Sequence, residues 1–484
     1  MFFNSIPFVF FFVVVAILNF VFPGRYRWVW LLAASVLFYM WSNPIQLLVP
    51  LCIISVSYVG GIQIEESGSA RRKESVFLLS VIATVGVLAF FKYSNFISSS
   101  AFDGINYIRV TLFHSAASLE NPFLLSIIAP IGISYITFQA IGYLIEVKRG
   151  DHPAERNLGL FSTYVMFFPK ILAGPVERAH NFLPQLKKSI IFDYAEVSVG
   201  LRLIAWGLFK KLVIADRLSV FVNAVFNNTQ AANGAAVLTA CFFNTLQIYA
   251  DFSGYTDMAI GMAKILGFSL TQNFDRPLLA SSVTELWRRW HISLSSWFTD
   301  YVYSPIVTEK RSWGNWSVIY ALLFTFLVIG LWHGASWNFV VFGLLQGILI
   351  SMEFLTRKIR KRLRGRLSNV LGVLYTFSVF SFSLIFFTTH SLGEAFTIIG
   401  RIVPAFFTPE FDLFAFGWRP RDYAIVLLSV PLMELVHNKL HNPDFWSTFA
   451  QRPAYLRWSM YYVALFTILF FGVHETRQFI YFQF

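Results

Sequence analysis

Two histidines carry the chemistry legible in this chain. His333 stands near the centre of a run almost free of charge: between Arg311 and Arg357 the only carboxylate is Glu353, close to the far end. It sits in Gly330-Leu331-Trp332-His333-Gly334-Ala335-Ser336-Trp337. A run of about 45 residues is roughly twice one bilayer crossing. It therefore reads as two membrane helices with His333 where they meet and basic residues at both outer ends. An ionisable side chain at membrane depth costs stability, so it marks a functional site by default. His291 lies in a second unusual stretch, Trp287-Arg288-Arg289-Trp290-His291-Ile292-Ser293-Leu294-Ser295. Burial disfavours the charged form of an imidazole, and a neutral imidazole can take the proton of an attacking hydroxyl.

The elements that position these residues must lie in a bilayer. Of 484 residues, 56% are hydrophobic and 13% charged, and mean hydropathy is +0.60; soluble domains carry about 25% charged residues. Fifty-five Phe and fourteen Trp supply lipid-facing area and interfacial anchors. The net charge of +12 does not indicate nucleic acid, because the basic residues cluster in short loops between apolar runs. The strongest cluster, Arg357-Lys358-Ile359-Arg360-Lys361-Arg362-Leu363-Arg364-Gly365-Arg366, reads as a loop against anionic headgroups. Cys52 and Cys241 read as small core residues, with no disulfide framework or cysteine metal site.

Apolar segments recur at 6–22, 28–40, 45–61, 76–91, 123–145, 158–172, 197–214, 236–249, 259–270, 318–331, 335–352, 370–388, 423–435 and 460–473. They predict an all-α polytopic membrane protein of about 11 to 14 membrane helices, some re-entrant or interfacial. A single integral membrane domain over 1–484 is expected. The first segment lacks a basic leader and a small-residue cleavage site, so it reads as a retained span. Arg25 and Arg27, then Arg71-Arg72-Lys73, then Lys148, Arg149 and Arg156 follow the first, third and fifth segments. The positive-inside rule then places the amino terminus outside and these loops inside. Lys310, Arg311 and the 357–366 cluster fall inside by the same rule, and His333 falls toward the outer half of the membrane. The stretch 271–309, with Asp275, Arg276, Glu285, Arg288, Arg289, His291 and Asp300 among aromatic residues, reads as an amphipathic helix at the interface or re-entrant. Glu285 and Arg289 are spaced to pair on one helix face.

Taken together, these motifs resemble the membrane-bound O-acyltransferase family, in its bacterial polysaccharide-modifying branch. The resemblance rests on 285–295 with Trp297 and Asp300-Tyr301-Val302-Tyr303, on Gly330-Leu331-Trp332-His333-Gly334-Ala335, and on Asp251-Phe252-Ser253-Gly254-Tyr255-Thr256-Asp257-Met258-Ala259. Ala173-Gly174-Pro175, Phe209-Lys210-Lys211-Leu212-Val213-Ile214-Ala215-Asp216 and Pro130-Ile131-Gly132-Ile133-Ser134 add to it. It implies helices around a central tunnel, His333 as the catalytic histidine, and His291 as the branch's second signature histidine. It further implies a cytoplasmic thioester donor such as acetyl-CoA and an extracytoplasmic esterase-like partner transferase that modifies a polysaccharide. The location implied is the bacterial inner membrane. Arg288 and Arg289, with Lys310 or Arg311, are candidates to meet the donor's phosphates.

Each assignment has a plainer counterpart. His291 could be an interfacial residue satisfied by Glu285 or Asp300, and Arg288 and Arg289 could anchor headgroups. Asp251 and Asp257 read as capping or pairing within the bundle. His390, His437, His441 and His474 lie near segment ends, where a hydrated histidine needs no special role. Two histidines without a third ligand at fitting spacing do not suggest zinc. Other functions stay open: D-alanyl transfer from a carrier protein to teichoic acid, or a proton-coupled transporter or flippase. The latter usually shows internal repeats, and none is visible. Alginate, cellulose, another exopolysaccharide and peptidoglycan all remain possible acceptors.

Overall fold

In the computed structural model, which describes residues 1, 3–41, 43–114, 119–362, 365–405, 416–440, 443–475 and 479, regular structure is helical throughout. The principal helices are α1 (Ile6–Val21), α2 (Arg27–Met40), α3 (Leu48–Glu65), α4 (Ala70–Phe113), α5 (Ile133–Arg149), α6 (Leu158–Met166), α7 (Tyr194–Phe209) and α8 (Gly234–Ile265). They continue as α9 (Val283–Arg289), α10 (Ile292–Phe298), α11 (Asn315–His333), α12 (Trp337–Leu355), α13 (Arg366–Thr388), α14 (Leu392–Ala405), α15 (Pro420–Leu440) and α16 (Ala454–Phe471). Among the described residues six helical stretches are long and apolar enough to cross a bilayer: Pro44–Glu65, Ala70–Phe113, Asn315–His333, Trp337–Leu355, Arg366–Thr388 and Ala454–Phe471. Shorter or more polar helices fill the centre between them.

Several boundaries differ from the hydropathy reading. Segment 76–91 is the first half of α4, whose 44 residues extend about 66 Å, twice a hydrocarbon core. Segments 236–249 and 259–270 merge into the single helix α8. The polar residues between them do not interrupt it, because Asp251 and Asp257 pair with lysines at 2.8 and 2.5 Å. Segment 123–145 is helical only from Ile133, after Gly132 turns the chain at φ 70°. Cys52 is exposed rather than core, while Cys241 is buried. Of the basic cluster, 357–362 forms a short helix and Arg366 opens α13; Leu363 and Arg364, like His441, lie outside the described residues.

Two of the basic loops, after α3 and after α5, lie together. Lys148 pairs with Glu74 at 2.6 Å, and Arg156 with Glu65 and Glu66 at 2.5 Å each. Small residues let helices meet backbone to backbone, as membrane packing requires where burial of apolar surface gives no drive. Helices α11 and α12 cross antiparallel this way: a Cβ on Gly330 would fall 2.2 Å from the Phe339 carbonyl, and one on Gly343 2.3 Å from that of Phe326. Helices α7 and α8 repeat the device with Gly207 against Gly254 and Gly200 against Gly261. Beside that contact Lys210 and Lys211, in a π-helical turn over Lys210–Ala215, meet Asp257 and Asp251. Two of the sequence motifs are thus one buried ionic lock.

Because the obstacle at Gly330 is backbone that cannot swing aside, Gly330→Val should cost about 1–3 kcal/mol as overpacking. The expected outcome is a clearly lowered melting temperature in detergent. Gly86→Ala, where an added Cβ meets nothing within 4 Å beyond its own helix, should leave it unchanged or raise it by about a degree, since Ala is the better helix former.

Candidate active site

Helix α11 ends at His333, where Gly334 is extended (φ −161°, ψ 154°), and α12 begins at Trp337. The break read from the charge-free run is therefore real, and His333 marks its first edge. His333 is 6% exposed and His291 fully buried. The Trp332 ring brings them into one neighbourhood, with its centroid 4.8 Å from the His333 ring and 5.9 Å from the His291 ring. Phe387 at 5.0 Å and Phe342 at 6.2 Å close around His333, and Phe252 at 4.8 Å meets His291 edge-on. From α5, Phe138 stacks between Trp332 at 5.4 Å and Trp297 at 4.3 Å.

The segment carrying His291 is not one amphipathic helix. It is α9 and α10 joined through Trp290 and His291, with His291 left-handed at φ 46°. Such a conformation in a non-glycine residue costs of order 1–3 kcal/mol and persists only where surroundings enforce it. Asn273 does so. Its carbonyl accepts from Ile292 N at 2.9 Å, and Arg289 O accepts from Asp275 N at 2.9 Å. Its side-chain Oδ1 accepts from Ser293 N at 3.1 Å and Ser293 Oγ at 2.8 Å. Since a backbone N–H can only donate, the atom facing it is the amide oxygen, and that same oxygen lies 3.1 Å from His291 Nδ1. The proton of neutral His291 therefore sits on Nδ1, and Nε2 presents a lone pair. Among the described residues Nε2 has no hydrogen-bond partner. The plainer expectation, Glu285 or Asp300 as the partner, is not met: Glu285 binds Arg289 at 2.6 Å and Asp300 binds Arg178 at 2.7 Å.

The remaining motifs converge here. Ser293 Oγ accepts from Val176 N at 3.0 Å, and Thr256 donates to the Ala173 carbonyl at 3.0 Å. Trp287 Nε1 donates to Gln346 at 3.0 Å, and Gln346 to Ser383 at 2.8 Å. Glu353, conspicuous in the sequence but given no role there, caps α9: it accepts from Val283 N at 2.8 Å and from Thr284 N at 2.9 Å.

A cavity of about 1750 Å³ opens beside this centre. Its inner wall includes Ile329 and Ile292, so it stops one turn short of His333 and one residue short of His291; neither histidine lines it. Ile329 lies about 21 Å along α11 from Asn315. The mouth is at the basic end, beside Asp300, whose carbonyl accepts from Arg149 at 3.1 Å. Arg288, Arg357, Arg360, Lys361 and Arg366 line it. Arg360 binds Glu353 at 3.1 Å, whereas Arg288, Arg357, Lys361 and Arg366 form no ion pair among the described residues, Arg357 lying instead over the Phe354 ring at 4.0 Å. Of the residues expected at donor phosphates, Arg288 is on this cavity, Arg289 is held by Glu285, and Lys310 pairs with Glu309 at 2.9 Å. Lys310 and Arg311 do not line it.

Sequence reasoning missed Asn273, the place of Arg357, Arg360 and Arg366 on the mouth, which were read as headgroup contacts, and two residues on α4. Lys92 and Tyr93 donate to the carbonyls at the end of α11. The one signal was that Lys92 is an isolated cation closing an apolar run, away from every basic cluster.

The chain is 37% identical to the protein named probable alginate O-acetylase AlgI in Azotobacter vinelandii over 68% of its own length and 64% of that relative's. It is 36% identical to its namesake in Pseudomonas aeruginosa over 82% of this chain and 73% of the relative. It is 29% identical to a peptidoglycan O-acetyltransferase of Helicobacter pylori over 77% and 73%. The chain thus spans less than two thirds of the Azotobacter relative. The model of the membrane-bound O-acyltransferase family matches residues 73–391, a stretch that holds both histidines, the Asn273 anchor and the mouth of the cavity. This chain is a multi-pass member of the membrane-bound O-acyltransferase family.

Proposed function

We propose that the chain is an O-acyltransferase moving an acetyl group from a thioester donor, acetyl-CoA, to a hydroxyl reached from the opposite face. The product would be O-acetylation of an extracytoplasmic polysaccharide through an esterase-like partner transferase. The observation that supports this best is the juxtaposition of two imidazoles around Trp332 with a deep cavity whose mouth carries Arg288, Arg357 and Arg366, which form no ion pair among the described residues. Guanidinium groups suit the phosphates of a nucleotide thioester, and the apolar depth suits its pantetheine arm. In this reading the acceptor hydroxyl attacks the thioester carbonyl, the C–O bond forms and the C–S bond breaks. His333 takes the hydroxyl proton, and the thiolate leaves and is protonated. His291, its lone pair aimed by Asn273, positions the acceptor or the carbonyl.

The orientation follows the same logic. Lys92 meets His333 about 33 Å along α4 from Ala70, and His333 is about 27 Å along α11 from Asn315. Both helices begin beside basic residues, Arg71-Arg72-Lys73 and Lys310-Arg311. With that end at the cytoplasm, His333 lies near the outer boundary of the inner membrane and the amino terminus is outside. The donor would then travel most of the membrane's thickness within protein.

Purified protein given acetyl-CoA and its partner should release free thiol; His333→Ala should abolish release with protein amounts unchanged, and retained release would sink the assignment. Replacing Arg357 and Arg366 with Ala should raise the donor KM about a hundredfold or more with kcat nearly constant, from lost charged hydrogen bonds of about 1.5–3 kcal/mol each. An unchanged KM would move the donor elsewhere. Asn273→Leu should lower kcat about 100-fold by releasing the His291 tautomer, by analogy with misoriented imidazoles in triads. Nitrogen NMR of labelled histidine should show the Nδ1 and Nε2 signals of His291 redistributing.

A further inference from the structure

We infer that Lys92 and Tyr93 are positioning residues for His333, a clamp from one helix that fixes the end of another. The inference rests on the reading of His333 as the base. Helix α11 stops at His333, and the last carbonyls of any helix have no partner within it. The Gly330 carbonyl is met by Gly334 N at 3.4 Å, which leaves those of Leu331, Trp332 and His333. All three are met from α4. Tyr93 Oη donates to Leu331 O at 2.7 Å, and Lys92 Nζ donates to Trp332 O at 2.6 Å and to His333 O at 2.9 Å. Three orphan acceptors receive three donors from two consecutive residues more than 200 positions away in sequence.

The residue types fit the task. An ammonium carries three donors on a slender stem, so one Lys can hold two adjacent carbonyls, and its charge opposes the negative end of the helix dipole. Two bonds on successive peptides define rotation as well as position at the point where the His333 side chain departs. Phe387 and Phe342 limit the ring from the other side. One turn beyond Lys92 the clamp is itself tied down, since Asn95 exchanges two hydrogen bonds of 2.9 Å with the backbone of Leu125. A base displaced by about 1 Å can lose on the order of 100-fold in rate, so the clamp bears on kcat rather than on donor binding at the distant mouth.

The test uses full-length protein with acetyl-CoA and its partner, and measures thiol release at saturating and limiting donor. Lys92→Met should lower kcat about 100-fold with donor KM within about twofold. Lys92→Arg, which keeps charge and donors, should recover at least tenfold of that loss. Tyr93→Phe keeps the packing and removes one bond; it should lower kcat several-fold at wild-type KM, and it carries the test if Lys92→Met does not fold. In a His333→Ala background Lys92→Met should have no further effect on any residual rate. Wild-type kcat in Lys92→Met or, where that variant does not fold, in Tyr93→Phe overturns the clamp, as does a loss that follows only the amount of folded protein. If His333→Ala is inactive while Lys92→Met is unimpaired, the clamp alone fails. If His333→Ala stays active, the base assignment fails and the clamp falls with it.

Discussion

A helix that ends inside a membrane protein leaves carbonyls that neither lipid nor bulk water can satisfy, and each costs several kcal/mol if left alone. The site is organised around that constraint. The chain must break at Gly334 to expose the His333 region, and the break is tolerable because α4 supplies donors to Leu331, Trp332 and His333. The same demand recurs at the start of α9, where the Glu353 carboxylate takes the free N–H groups of Val283 and Thr284. It recurs at His291, where Asn273 satisfies two backbone and two side-chain groups of the 291–293 turn. Polar residues at depth here are a connected set of terminations, each closed by a side chain from a different element.

That pattern explains what could be read from sequence. The break at His333 was legible because its flanks carry no charge, so any titratable residue stood out. The Glu285–Arg289 pair was legible because both partners lie on one helix face. The partners of the breaks were not. Lys92 and the His333 carbonyl are 241 residues apart, and Asn273 precedes its histidine by 18 residues across an irregular stretch. Hydropathy misled in two directions. It split α8 at Asp251 and Asp257, whose charge is cancelled by Lys211 and Lys210. It also ran 123–145 together although Pro130 and Gly132 delay the helix to Ile133. The motifs shared with the family were visible as strings; that they touch one another through Ser293, Val176 and Thr256 was not.

The two histidines differ in how they are held, and the difference suits different duties. His291 is fixed through its own ring, by a hydrogen bond that selects one tautomer and leaves Nε2 pointing elsewhere. His333 is fixed through its backbone and caged by aromatic rings. An imidazole pinned at one nitrogen is well suited to accept or orient at the other. Trp332, in contact with both, makes their positions interdependent.

The mouth of the cavity is built on the opposite principle. Arg288, Lys361 and Arg366 have long side chains that form no ion pair among the described residues, while the groups near His333 are already packed. Ordering a rotamer-rich side chain on binding costs about 0.5–1.5 kcal/mol. A polyanion docking at this mouth therefore meets its entropic penalty in side chains such as Arg357, Lys361 and Arg366, which belong to other elements than the two histidines. Affinity for such a ligand and the geometry around His333 are thermodynamically separate properties of this molecule, free to be tuned by different residues.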